Sequence, residues 1–68
     1  MALNVTLNGE ARQIPPASSV ADLLTGLGLD PAKIAVERNL EIVPRSRYAE
    51  TWLASGDALE IVHFIGGG

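Results

Sequence analysis

Residue types that do covalent chemistry are sparse in this sequence. It has no cysteine, which removes thiolate nucleophiles, disulfides and thiolate metal sites. His63 is the single histidine. A triad or a metal site needs several convergent partners, so His63 reads as a rim residue of the last strand. The carboxylates Glu37, Glu41, Glu50, Asp57 and Glu60 lack the spacing of metal ligands, and no glycine-rich turn opens a helix to cradle a phosphate. They read as a solvated acidic surface. Arg45 and Arg47 form a two-residue basic cluster suited to pairing with carboxylates of this domain or of a partner. No catalytic residue and no metal ligand is assigned.

Folding does not explain the stretch Phe64-Ile65-Gly66-Gly67-Gly68. Its three glycines add nothing to a core, carry the largest backbone entropy and have no Cβ to obstruct close approach by another protein. The plain reading is a frayed terminus. The chemical reading makes the Gly68 carboxylate a substrate, threaded with Ile65, Gly66 and Gly67 into another enzyme's narrow channel. Four extended residues reach roughly 13 Å, enough for a short tunnel while the folded body stays outside. Val62 and Phe64 strengthen that reading, because their parity is opposite to that of Leu59 and Ile61. If Leu59 and Ile61 face a helix, Val62 and Phe64 lie on the uncovered face as a docking pair beside the tail.

The elements that must position this end follow from hydrophobic period. Leu3, Val5 and Leu7 alternate with polar residues as a strand, and Asn8-Gly9 is a two-residue hairpin turn into a weaker strand, Glu10 to Ile14. Pro15-Pro16 stops it. Val20, Leu23, Leu24 and Leu27 then fall on one helical stripe, with Ser18 or Ser19 as cap, Asp22 completing a capping box and Gly28 as the left-handed stop. Asp30-Pro31 marks a loop. Ile34 to Val36 begins a third strand, Arg38-Asn39-Leu40 is a turn, and Glu41 to Val43 is a return strand ended by Pro44. Tyr48 and Trp52, four apart, suggest a helical turn within Arg45 to Leu53 that covers one end of the core. After Gly56-Asp57 comes the last strand, Ala58 to Phe64.

A hairpin, a crossing helix and further strands describe an α+β domain of the β-grasp type. It has a mixed sheet of about five strands with one main helix packed on one face. First and last strands are adjacent and parallel at its centre. Residues 1–64 are expected to form this domain and residues 65–68 a flexible glycine tail. At 68 residues there is room for one core only. The composition, 47% hydrophobic and 19% charged, is that of a folded chain. The net charge is −3 and the five basic residues are scattered, which argues against nucleic acid and anionic membrane as partners. With no apolar run of spanning length and no signal-peptide pattern, the expected location is cytoplasmic.

Taken together, these segments resemble the ubiquitin-like sulfur carriers of the ThiS family, which serve thiamine thiazole biosynthesis. The resemblance runs through Leu7-Asn8-Gly9-Glu10, Val20-Ala21-Asp22-Leu23-Leu24, Ile34-Ala35-Val36-Glu37-Arg38-Asn39, Ile42-Val43-Pro44-Arg45, Gly56-Asp57 and the diglycine end. No single piece is very specific, but their order and spacing are. Leu40 departs from the family, which often has a small or polar residue there. The resemblance implies a protein co-substrate rather than an enzyme. The Gly68 carboxylate would be adenylated with ATP by an E1-like enzyme, ThiF, and converted to a thiocarboxylate with sulfur from a donor such as a cysteine desulfurase. Thiazole synthase, ThiG, would then take the sulfur. ATP would be used by the activating partner, with no cofactor bound by the carrier itself. Gly67 matches the family's penultimate glycine.

Four alternatives stand beside this one. A carrier like the small subunit of molybdopterin synthase would be longer and lack the Ile-Val-Pro-Arg stretch, and a ubiquitin-like modifier would form conjugates on lysine. A plain β-grasp binding module would work without Gly67 and Gly68. A small enzyme is disfavoured by the lack of cysteine and of clustered titratable groups.

Overall fold

A computed structural model of the chain describes residues 1–64. In chain order, β1 (Leu3–Leu7), β2 (Glu10–Ile14), α1 (Val20–Leu27), β3 (Ile34–Arg38), β4 (Glu41–Val43) and β5 (Ala58–His63) form a five-stranded sheet crossed by one helix. The strand order is β2-β1-β5-β3-β4. β1 and β5 run parallel at the centre, and every other neighbouring pair is antiparallel. This is the α+β β-grasp that the hydrophobic pattern implies.

The helix forms where its caps allow. Ser19 accepts a hydrogen bond from the Asp22 amide at 3.1 Å, and the Asp22 carboxylate accepts one from the Ser19 amide at 3.0 Å. That reciprocal box satisfies two amides the first turn leaves free. The amides of Val20 and Ala21 donate to the carbonyls of Thr51 and Tyr48. Ser18, the other candidate cap, instead donates its hydroxyl to the Pro15 carbonyl at 2.6 Å. Gly28 ends the helix at φ 70°. Val20 and Leu24 are fully buried against Val5, Ile34, Val36, Leu59 and Ile61 on one face of the sheet. Side chains of that size each contribute about 1.5–3 kcal/mol on burial.

Two segments differ from the sequence expectation. Asp30 caps a short 3₁₀ turn, Pro31–Lys33, where a plain loop was expected, because its side chain accepts from the Ala32 amide. The region Arg45 to Leu53 has a 3₁₀ turn only at Arg45–Arg47. Tyr48 is buried there, but Trp52 is exposed and Leu53 takes the inward position. The cause is a change of period. Trp52 forms a β-bridge with Ser19, and the Leu53 amide donates to the Ser18 carbonyl, so this stretch alternates by two rather than following a helix.

Two asparagines fix β5 between the hairpins. Asn8, with Gly9, turns β1 into β2 at positive φ, as a type I′ turn requires. Where β1 ends, the Asn8 side chain takes over its ladder, accepting from the Ile61 amide at 2.8 Å and donating to the Ile61 carbonyl at 3.2 Å. Asn39 turns β3 into β4 at φ 53° and accepts from the Ala58 amide at 2.9 Å. Asn8→Gly keeps the turn conformation and deletes only the clamp. It should lose about 1 kcal/mol and melt roughly 4–8 °C lower; an unchanged melting temperature would show that water replaces the clamp without loss.

Candidate functional site

The sheet has one face under α1 and one face open. Alternation in register assigns Thr6, Ala58, Glu60 and Val62 to the open face of the central strands, with Ala35 and Glu37 of β3 and Ile42 of β4 beside them. Val62 lies opposite Ala35, and Ile42 and Glu60 lie on either side of Glu37. Val62 is 59% exposed and Phe64, of the same parity, 47% exposed. Both sequence-predicted docking residues thus sit on the uncovered face at the end of β5. The Phe64 amide donates to the Lys33 carbonyl at 2.9 Å, which holds the chain beside β3 as it leaves the sheet. The remaining predicted residues, Ile65, Gly66, Gly67 and Gly68, lie outside the described residues.

Ile42 belongs to the same face at 65% exposure and was missed in the sequence. Its signal was present, since Val43 is the inward residue of a three-residue strand and its neighbour must point the other way. Three large apolar side chains therefore stand on one open face of a very small domain.

The charged candidates sort differently. Asp57 is not part of a solvated surface: it is 6% exposed and accepts from Arg38 Nε at 2.9 Å, Asn39 Nδ2 at 3.1 Å and the Ala54 amide at 2.9 Å. Burial alone would raise its pKa, but the Ala54 amide, Asn39 and Arg38 together hold it below its ordinary 3.8. This carboxylate fastens the loop before β5 to the β3–β4 turn, which is structural work. Arg45 pairs with no carboxylate among the described residues. It donates to the carbonyls of Pro31 and Ala32 and ties down the 3₁₀ turn. Arg47 approaches Glu50 at 4.0 Å with both side chains largely in water, a pair of little energetic consequence. His63 is exposed and lies opposite Ile34. Among the described residues no three metal-ligating side chains gather. A groove of about 480 Å³ between the end of β2 and α1 is lined by Arg12, Pro15, Pro16, Asp22 and Leu23, on the helix side and away from the open face.

A small β-grasp domain whose last strand leaves apolar side chains exposed on its open face, followed by consecutive glycines, is the architecture of ubiquitin-like proteins. Residues 5–68 match the ThiS family, and the chain belongs to it. It is 41% identical over 63 residues to the sulfur carrier protein ThiS of Bacillus subtilis, covering 91% of this chain and 96% of that protein. A thiazole synthase of Paramagnetospirillum magneticum is 53% identical over 66 residues. The match covers 97% of this chain, yet the chain spans only 20% of that synthase's length. The crystal structure of the thiamine biosynthesis protein ThiS from Geobacter metallireducens superposes with a TM-score of 0.82 at 33% identity, covering 97% of this chain and all of that one. No helix of the described residues is long and apolar enough to cross a membrane.

Proposed function

We propose that this protein is a sulfur carrier for the thiazole ring of thiamine, charged at the carboxylate of Gly68 and acting in the cytoplasm. The observation that carries the reading is the placement of Val62 and Phe64, exposed on the open face of β5 immediately before Gly66-Gly67-Gly68. An apolar handle beside an unhindered acyl end suits a protein that is itself the substrate of other enzymes. In the first step an oxygen of the Gly68 carboxylate attacks the α-phosphorus of ATP on the E1-like enzyme ThiF, and pyrophosphate leaves. The persulfide of a donor such as a cysteine desulfurase then attacks the acyl carbon and displaces AMP, and a thiol reductant cleaves the S–S bond of the resulting acyl disulfide with two electrons, which frees the donor thiol and leaves a thiocarboxylate. Glycine suits the second step, because an acyl carbon without a neighbouring side chain is open to attack from either face. ATP binds the activating enzyme, and the carrier needs no cofactor of its own. The similarity to thiazole synthases supports ThiG as the acceptor of the sulfur.

The test is the intact mass of the protein after incubation with ATP, an activating enzyme and a sulfur donor. An ATP-dependent exchange of one oxygen for sulfur supports the reading. An unchanged mass beside an active control refutes it and leaves a binding module. Docking is tested separately. Phe64→Asp should leave the melting temperature near that of the wild type, since nearly half the side chain is already in water. It should weaken binding to the activating enzyme about tenfold or more, and equal affinity in a titration would remove Phe64 from the interface.

A further inference from the structure

Glu37 and Glu60 lie directly opposite each other on β3 and β5, and both belong to the open face. Directly opposed residues have Cβ atoms about 5 Å apart, and like charges in that arrangement destabilise a sheet. Neither carboxylate has an ion-pair partner among the described residues, whose ion pairs are Arg38 with Asp57 and Arg47 with Glu50. The strand positions of this face, Asn4, Thr6, Ala11, Gln13, Ala35, Glu37, Ile42, Ala58, Glu60 and Val62, hold two charges, both negative. Apolar side chains flank them, with Ile42 beside Glu37 on β4 and Val62 two residues beyond Glu60. The paired charges do not add to the stability of the isolated domain, and Ile42, Val62 and Phe64 leave much of their apolar surface in water.

We infer that the activating enzyme, docked on this face as proposed above, presents one arginine or lysine that enters between Glu37 and Glu60. The inference rests on the carrier reading above. A single guanidinium has enough donors to serve both carboxylates, and a contact among apolar groups strengthens it by excluding water. The charges also choose among occupants. A second copy laid face to face would bring four carboxylates together with no cation at the strand positions of either face to offset them. Nucleic acid and anionic lipid meet the same repulsion. A partner protein with a cationic group is the occupant whose chemistry complements the face.

The experiment measures pyrophosphate release by the activating enzyme as the carrier concentration is varied, for the wild type, for Glu37→Gln with Glu60→Gln, and for Glu37→Asp. The double variant should raise KM for the carrier about tenfold at low ionic strength with kcat unchanged. Wild-type KM should climb with added salt while that of the double variant stays nearly flat. Glu37→Asp, which keeps the charge, should stay close to the wild type. The melting temperature of the double variant should equal or exceed the wild-type value, because an opposed pair of like charges has been removed. A double variant with wild-type KM and wild-type salt dependence overturns the inference alone. A wild-type protein that supports no pyrophosphate release overturns the carrier reading and this inference together.

Discussion

Removing Gly68 is expected to abolish the ATP-dependent exchange of oxygen for sulfur while leaving the melting temperature of the domain unchanged. The two halves of that result have separate causes. The buried core is complete by Ile61, so the fold does not depend on the last residue. On the carrier reading the chemistry depends on it wholly, because activation would need a carboxylate at a fixed reach from the docked body. Shortening the chain by one residue withdraws that carboxylate by about 3.5 Å. A misplacement of only 1 Å at a reacting centre can slow a reaction about a hundredfold. The truncated chain still ends in a glycine carboxylate, that of Gly67, so the expected loss tests the position of the group rather than its chemistry. Gly67→Val should act through sterics instead: a β-branched side chain narrows the backbone conformations and widens the segment that must pass through the channel. Pyrophosphate release should fall by about two orders of magnitude, and affinity for the activating enzyme should fall less, because Val62, Phe64 and Ile42 are untouched. A wild-type rate for both variants would mean that the acyl group is carried elsewhere.

Period and punctuation made most of this fold legible in advance. β1, β2 and α1 have the boundaries that alternation, Asn8-Gly9 and the Ser19–Asp22 box imply, because each is fixed by contacts within a few residues. Val62 and Phe64 were legible for the same reason: parity along one strand decides the face once Leu59 is known to be inside. Trp52 was misread because its environment is set by pairing with Ser19, more than thirty residues away, and no local spacing records that. Asp57 was misread as surface for a related reason. Its partners Arg38 and Asn39 come from another hairpin, and only the closed sheet brings them together. Ile42 shows a different limit, since three residues of strand are too short to advertise a period, though Val43 inside implied it.

Asp57 is also a place where a single change removes several contacts at once. Asp57→Ala leaves Arg38 Nε, Asn39 Nδ2 and the Ala54 amide without their common acceptor. Hydrogen bonds to a buried charge are worth more than neutral ones, and partial hydration of Arg38, whose side chain is 34% exposed, limits the damage. The expected loss is about 2–3 kcal/mol, against a total of roughly 3–10 kcal/mol for a domain of this size. The melting temperature should fall by roughly 10–20 °C. The same carboxylate sets an acid limit. Its pKa is lower in the folded state than the ordinary 3.8 expected when unfolded, so at intermediate pH the unfolded chain binds more protons. Its contribution is therefore complete well above pH 3.8 and is lost as pH falls past that value and through the lower folded one. Asp57→Asn should melt at a temperature that varies less over this acid range than the wild type does, and should already be less stable at neutral pH. If the variant shows the wild-type acid dependence, Asp57 is not the group that titrates. A wild-type melting temperature for Asp57→Ala would mean that the turn at Asn39 and the start of β5 hold together without the charge, and that the two asparagine clamps suffice to place the last strand.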